Sequence, residues 1–174
     1  MYSISKNVTN EENKLYFTLS ENVNENKVIN IKKWNLEIPK IDLNAEIVEG
    51  VSSDVLNLNI GHFEGTGLVD KNICLAAHNR GYTKNYFEHL DKLNKGDEII
   101  YFFENKEYKF EVSENFIIED TNLEVLEYRG KNEMTLITCV KNKENLRRCV
   151  KAIRIEEWYI EKSIIGSFDN YNFN

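Results

Sequence analysis

Trp34-Asn35-Leu36-Glu37-Ile38-Pro39-Lys40-Ile41-Asp42-Leu43-Asn44-Ala45-Glu46-Ile47-Val48 alternates apolar and polar side chains on either side of the only proline in the chain. A period of two puts every second side chain on one face, so both halves read as half-buried strands. Pro39 falls between them, where the N–H it lacks is not needed by a ladder. The fold expected from this start is a sheet, and the rest of the chain extends the pattern.

Working outward, Ser52-Ser53-Asp54-Val55-Leu56 is a capped helical turn, because a hydroxyl or carboxylate there can accept an orphan backbone N–H. Gly61, Gly65 and Gly67 mark a loop. Ile73 to Ala77 is a short buried strand with His78 at its end, followed by the turn signal Asn79-Arg80-Gly81. Tyr86, Phe87, Leu90 and Leu93 have helical spacing and predict a short amphipathic helix over 84–93. Glu98 to Phe103 and the alternating Tyr108, Phe110 and Val112 form a hairpin with Asn105 in its turn, and Phe116 to Glu119 continues extended. Another short helix is expected over 121–128. Met134 to Val140 is a strand, 141–146 a polar loop, Arg147 to Ile155 the last strand, and Trp158 to Ile165 a short terminal helix. About eight strands with two or three minor helices, no βαβ alternation and no repeat make a mainly β chain: one closed or nearly closed barrel, mostly antiparallel. Residues 1–29 are polar and rich in Asn, Glu and Lys, with one apolar cluster at Leu15, Tyr16, Phe17 and Leu19. They read as a linker or a short element ahead of a single domain over 30–174.

A net charge of −7 speaks against nucleic acid, whose phosphates call for a basic surface. No apolar run reaches the length of a membrane span, and there is no signal-peptide core. The three cysteines, Cys74, Cys139 and Cys149, are an odd number, so at least one thiol is unpaired and the fold does not rest on a disulfide framework.

Cys139 stands at the end of a strand beside a polar loop, which is where a scaffold can present a reactive group. A thiol attacks as thiolate and needs an imidazole or a cation nearby. His89 lies beside Glu88 on the expected helix, facing solvent, and His62 between Gly61 and Phe63 suits a structural role. His78, at the mouth of a turn, is the candidate partner. Arg147 follows Cys139 across the short loop and can hold a carbonyl or stabilise an oxyanion. Arg148 is its rival and points to the other side of the strand. Cys149 shares a strand face with Arg147 and is assigned a structural role, with an oxidised Cys139–Cys149 pair as a means of silencing the site. No tight His/Cys spacing suggests a metal.

Thr135-Leu136-Ile137-Thr138-Cys139 resembles the Thr-Leu-x-Thr-Cys signature of the sortase family. Leu75-Ala76-Ala77-His78 resembles the strand that ends in its histidine, and Arg147 with Val150 and Ala152 its arginine strand. Phe87 through Leu90 and Leu93 to Gly96-Asp97, Ile38-Pro39-Lys40-Ile41 through Ile47-Val48-Glu49-Gly50, and Gly61-His62-Phe63 resemble further segments in the family's order, over about residues 36 to 155.

The resemblance implies an eight-stranded barrel and a cysteine transpeptidase. It would cut a Leu-Pro-x-Thr-Gly-type sorting signal between Thr and Gly through a thioacyl intermediate on Cys139, with His78 as acid and base and Arg147 at the oxyanion. It implies Thr138, Ala77 and Asn79 as substrate contacts and needs no cofactor. The partners would be a sorting-signal peptide and an amine from a cell-wall precursor or a pilin. The site of action would be the outer face of the cell membrane, with an anchor upstream and this chain the soluble ectodomain. No proline-rich lid segment is evident, which speaks against a pilin-polymerising type with such a lid, and no acidic calcium loop is evident either; a housekeeping, class B-like or class D-like type stays open, with class B-like or class D-like favoured. A cysteine hydrolase with the same residues, and a non-catalytic β-domain that binds peptides, are the alternatives.

Overall fold

The computed structural model describes residues 4–7, 16–19 and 34–159. Two short strands, β1 (Ile4–Asn7) and β2 (Tyr16–Leu19), pair antiparallel, so the apolar cluster near the N-terminus is a strand. The remaining eight are β3 (Trp34–Ile38), β4 (Leu43–Glu49), β5 (Ile60–His62), β6 (Asn72–Ala76), β7 (Glu98–Phe103), β8 (Lys106–Glu119), β9 (Glu133–Val140) and β10 (Lys143–Tyr159). They close into a barrel in the order β10-β8-β7-β3-β4-β5-β6-β9. The pairs β4–β5 and β6–β9 are parallel and the others antiparallel.

The alternation that opened the reading works as expected. Leu36, Ile38, Leu43, Ala45 and Ile47 are buried in the barrel with Ile60, Leu75, Ile99, Tyr101, Phe110, Leu136 and Val150. Pro39 starts a 3-10 turn, Pro39–Ile41, and Asp42 takes the left-handed backbone that reverses the chain into β4. The phenol of Tyr101 accepts from Trp34 Nε1 at 2.8 Å and donates to the Leu68 carbonyl at 2.7 Å. Such pairing is what a largely buried hydroxyl requires.

A helical turn, α1 (Ser53–Leu56), is capped by Ser52 as its sequence requires. The helix expected over 84–93 is instead a run of tight turns with one 3-10 segment, Leu90–Lys92. The bonds Glu88 N–H to Asn85, Leu90 to Phe87, Lys92 to His89 and Leu93 to Leu90 all step back three residues. Phe87, Leu90 and Leu93 are themselves three apart and all buried, and three residues per turn is the 3-10 period. The helix expected over 121–128 is likewise a 3-10 segment, Leu123–Leu126, capped by Asn122. It covers a second cluster on the outside of the barrel, built from Ile118, Val125 and Cys149 with Phe116, Leu126 and Ile137.

Two other expectations change. Residues 141–146 are not an open loop: Lys143 pairs with Val140 across a tight turn in which Asn142 is left-handed, and 144–146 bulge before Arg147 rejoins the ladder. Trp158 and Tyr159 are strand residues, paired with Glu107 and Lys106 of β8. The rest of the terminal helix expected to Ile165 lies outside the described residues, as does the chain immediately before Trp34.

Candidate active site

The parallel pair β6–β9 builds the site. Its register aligns Leu75 with Leu136 and Ala76 with Ile137. Parallel strands leave a sheet at the same edge, so the residues two further on, His78 and Cys139, emerge side by side although 61 positions apart in the chain. Two bonds lock the exit. The Thr138 hydroxyl, buried, donates to the Ala77 carbonyl at 2.8 Å, and the Ala77 N–H donates to the Ile137 carbonyl at 3.4 Å.

His78 and Cys139 line one open cavity of about 570 Å³ together with Asn79, Arg80, Tyr82, Val140, Asn142, Lys143 and Glu144. Cys139 is the exposed thiol; Cys74 and Cys149 are buried. Burial pushes the thiol of Cys74 up to about 11 and that of Cys149 to about 12, so neither supplies thiolate at neutral pH. All three cysteines are free, and Cys149 lies opposite Ile137 beneath the outer cluster, which is the structural role expected of it.

His78 is half-buried, and burial lowers its pKa below the ordinary imidazole range. Its Nε2 is buried without a hydrogen-bond partner. One face of the ring is covered by Tyr82, stacked with ring centroids 3.4 Å apart and planes 4° from parallel.

Arg147 lies directly opposite Cys139 on β10, as its place in the chain predicts. Its guanidinium, however, does not line the cavity. It donates to the Glu144 carbonyl at 2.6 Å, the Leu146 carbonyl at 2.9 Å and the Asp120 carboxylate at 3.4 Å. These bonds use three of the five N–H donors of an arginine and gather the 144–146 bulge around it. Arg148 turns the other way, to Asn115 at 2.7 Å, in a separate groove with Asp91 and Glu114.

Of the three expected substrate contacts, Asn79 lines the cavity, whereas Thr138 and Ala77 are bonded to each other beneath it. That bond ties the end of β9 to the end of β6, one residue before His78. Thr138→Val, which keeps the shape and deletes the hydroxyl, is expected to cost about 1–3 kcal/mol of stability and to slow turnover with it. Thermal or urea denaturation read beside kcat checks both.

His62 is structural, as expected. It is buried, with Nδ1 2.9 Å from the Glu49 carboxylate and Nε2 3.0 Å from both the Gly67 carbonyl and Thr66 Oγ1. Gly67 has no substitute there, since a Cβ would collide with the Asp70 carbonyl.

Tyr82, Lys143 and Glu144 were not singled out from the sequence. A signal for Tyr82 did exist: an aromatic side chain in a polar turn, just after the candidate histidine, needs a surface to lie on.

The barrel edge presents an exposed thiol, an imidazole in the same cavity and an arginine on the next strand, a set of groups suited to chemistry of the cysteine-nucleophile class. Comparison with known proteins makes this specific. The model of the sortase domain matches residues 36–154, so the chain belongs to the sortase family. It is 32% identical over 124 residues to sortase A of Bacillus anthracis, covering 71% of this chain and 56% of that protein. It is also 32% identical over 106 residues to sortase D of Bacillus subtilis, covering 60% and 52%. The match thus spans about half the length of these relatives, and the equal identity to a sortase A and a sortase D defines a family rather than a class. Among solved structures, a Clostridium perfringens sortase D5 transpeptidase is 33% identical, with a TM-score of 0.65 over 72% of this chain and 79% of that one.

Proposed function

We propose that this protein is a sortase transpeptidase that uses Cys139 as nucleophile, His78 as acid and base and Arg147 as the stabilising cation. The observation that carries the reading is that the exposed thiol among the three shares a cavity with the one histidine placed at that edge. Family membership supports it further.

In this reading the Cys139 sulfur adds to the Thr carbonyl carbon of a Leu-Pro-x-Thr-Gly-type signal. The Thr–Gly bond breaks, the Gly amine leaves with a proton from His78, and a thioester remains on Cys139. An incoming amine from a cell-wall precursor or a pilin adds to the thioester and passes its proton to His78, and the Cys139 sulfur departs. Asn79 at the cavity wall is a substrate contact, and Thr138 and Ala77 act through the position of His78. In this reading the catalytic domain spans 30–174 and works at the outer face of the membrane. Among the described residues no helix is long and apolar enough to cross one.

Arg147 acts in this scheme by shaping the bulge and by turning its remaining donors to the oxyanion once substrate is bound. Arg147→Lys keeps the charge but cannot hold two bulge carbonyls and Asp120 in the same plane. It is expected to lower kcat/KM by about 10²-fold, whereas Arg148→Lys leaves it unchanged. Steady-state kinetics of the two variants decide between the arginines.

The function itself is tested by incubating the protein with a library of sorting-signal peptides, with and without an added amine, and identifying the products by mass spectrometry. Cleavage between Thr and Gly with the amine joined to the new Thr end is the expected result. A free carboxylate in both conditions would make the protein a hydrolase, and intact peptides across the library would make it a binding domain.

A further inference from the structure

The contact between Tyr82 and His78 is built from outside both rings. The segment between His78 and Phe87 is closed at its base by the Phe87 N–H donating to the His78 carbonyl at 3.1 Å, and Phe87 is fully buried in the core. Within the segment, Asn85 holds both backbone polar groups of Tyr82. Its side-chain carbonyl accepts from the Tyr82 N–H at 3.3 Å, and its amide donates to the Tyr82 carbonyl at 3.0 Å. A tyrosine that is 51% exposed is therefore fixed at its backbone and laid flat on an imidazole. Free in solution, such a side chain would sample several rotamers, and ordering it costs entropy that the Asn85 clamp reduces in advance.

We propose that Tyr82 is a positioning residue for His78: it fixes the plane of the imidazole against the cavity wall and keeps water off that face. The inference rests on the transpeptidase reading only for its effect on rate. A ring covered on one face gives up hydration, which disfavours the charged imidazolium, and the direction found for His78 agrees with this. The other charged or titratable groups around the cavity are Arg80 on the same loop, Cys139 on β9, and Lys143 and Glu144 on β10. Arg147, on β10 beside Cys139, has its guanidinium bonded to the bulge and Asp120. Removing Tyr82 leaves all of these in place, so a change in His78 on its loss reports the stacked ring. Phenylalanine reproduces the face of the ring without the hydroxyl, and the proposal uses only the face.

The test follows the titration of the three histidines by NMR, with no peptide present and with His78→Gln identifying the signal of His78. Tyr82→Ala is expected to move His78 upward, towards the ordinary imidazole range, while Tyr82→Phe leaves it as in the parent. Asn85→Ala, which frees the loop without touching either ring, is expected to move it in the same direction as Tyr82→Ala. In turnover, Tyr82→Ala is expected to lower kcat by about tenfold, as a misplaced catalytic group does, with KM little changed and the alkaline limb of the pH profile moved upward. An unchanged His78 titration in Tyr82→Ala would overturn the proposal, whatever its activity. A shifted titration in a protein that cleaves no peptide would uphold the stacking role and overturn the transpeptidase reading instead.

Discussion

Cys139→Ala is expected to reduce peptide cleavage by about 10³-fold or more, the scale on which loss of a nucleophile is felt when the rest of a site stays assembled. The fold should survive unaltered. Cys139 is exposed, and the strand that carries it is held by its ladders to β6 and β10 rather than by the thiol. A surface substitution of this kind moves stability by about 0.5 kcal/mol at most. The same substitution at Cys149 would do the reverse. That side chain is fully buried against Ile118 and Val125, so its loss should cost stability and leave the chemistry intact. Thermal melts beside cleavage rates separate the two cysteines.

His78→Gln is expected to be the next most severe change, at about 10²–10⁴-fold in kcat/KM, the range for a removed general acid–base. Glutamine keeps a polar side chain of related length but cannot carry a proton from the leaving amine to the incoming one. The buried Nε2 has no partner in the protein, so no internal hydrogen bond is broken by the change and stability should be little affected. His62→Gln makes the contrast. That imidazole is bonded on both nitrogens inside the wall of the barrel, and its loss should lower the melting temperature. Rates and melts for the pair of histidine variants check the assignment.

The strands were readable because one-sided burial writes itself into a chain with period two. Leu36, Ile38, Leu43, Ala45 and Ile47 all face inward, as their alternation requires. The pairing of β6 with β9 was not readable in that way. Their register joins residues more than sixty positions apart through backbone bonds, which carry no side-chain signature. Bringing His78 to Cys139 depends on that register, so from the residues alone each could be nominated only as the end of a strand. Phe87, Leu90 and Leu93 misled for a different reason. A spacing of three satisfies one turn of an α-helix as well as a 3-10 run, and the bonds formed, each stepping back three residues, are those of the tighter turn. The direction of the Arg147 guanidinium goes with the bulge at 144–146, an irregularity in the pairing of β9 with β10 rather than a property of either strand alone.

The most direct test of the central claim is intact-mass analysis during turnover of a sorting-signal peptide without added amine, followed by peptide mapping of any adduct. The expected result is one acyl group per protein, carried on Cys139, removed by hydroxylamine or an added amine and absent from Cys139→Ala. Cleavage that proceeds with no adduct on Cys139, or an adduct that persists in Cys139→Ala, would contradict it.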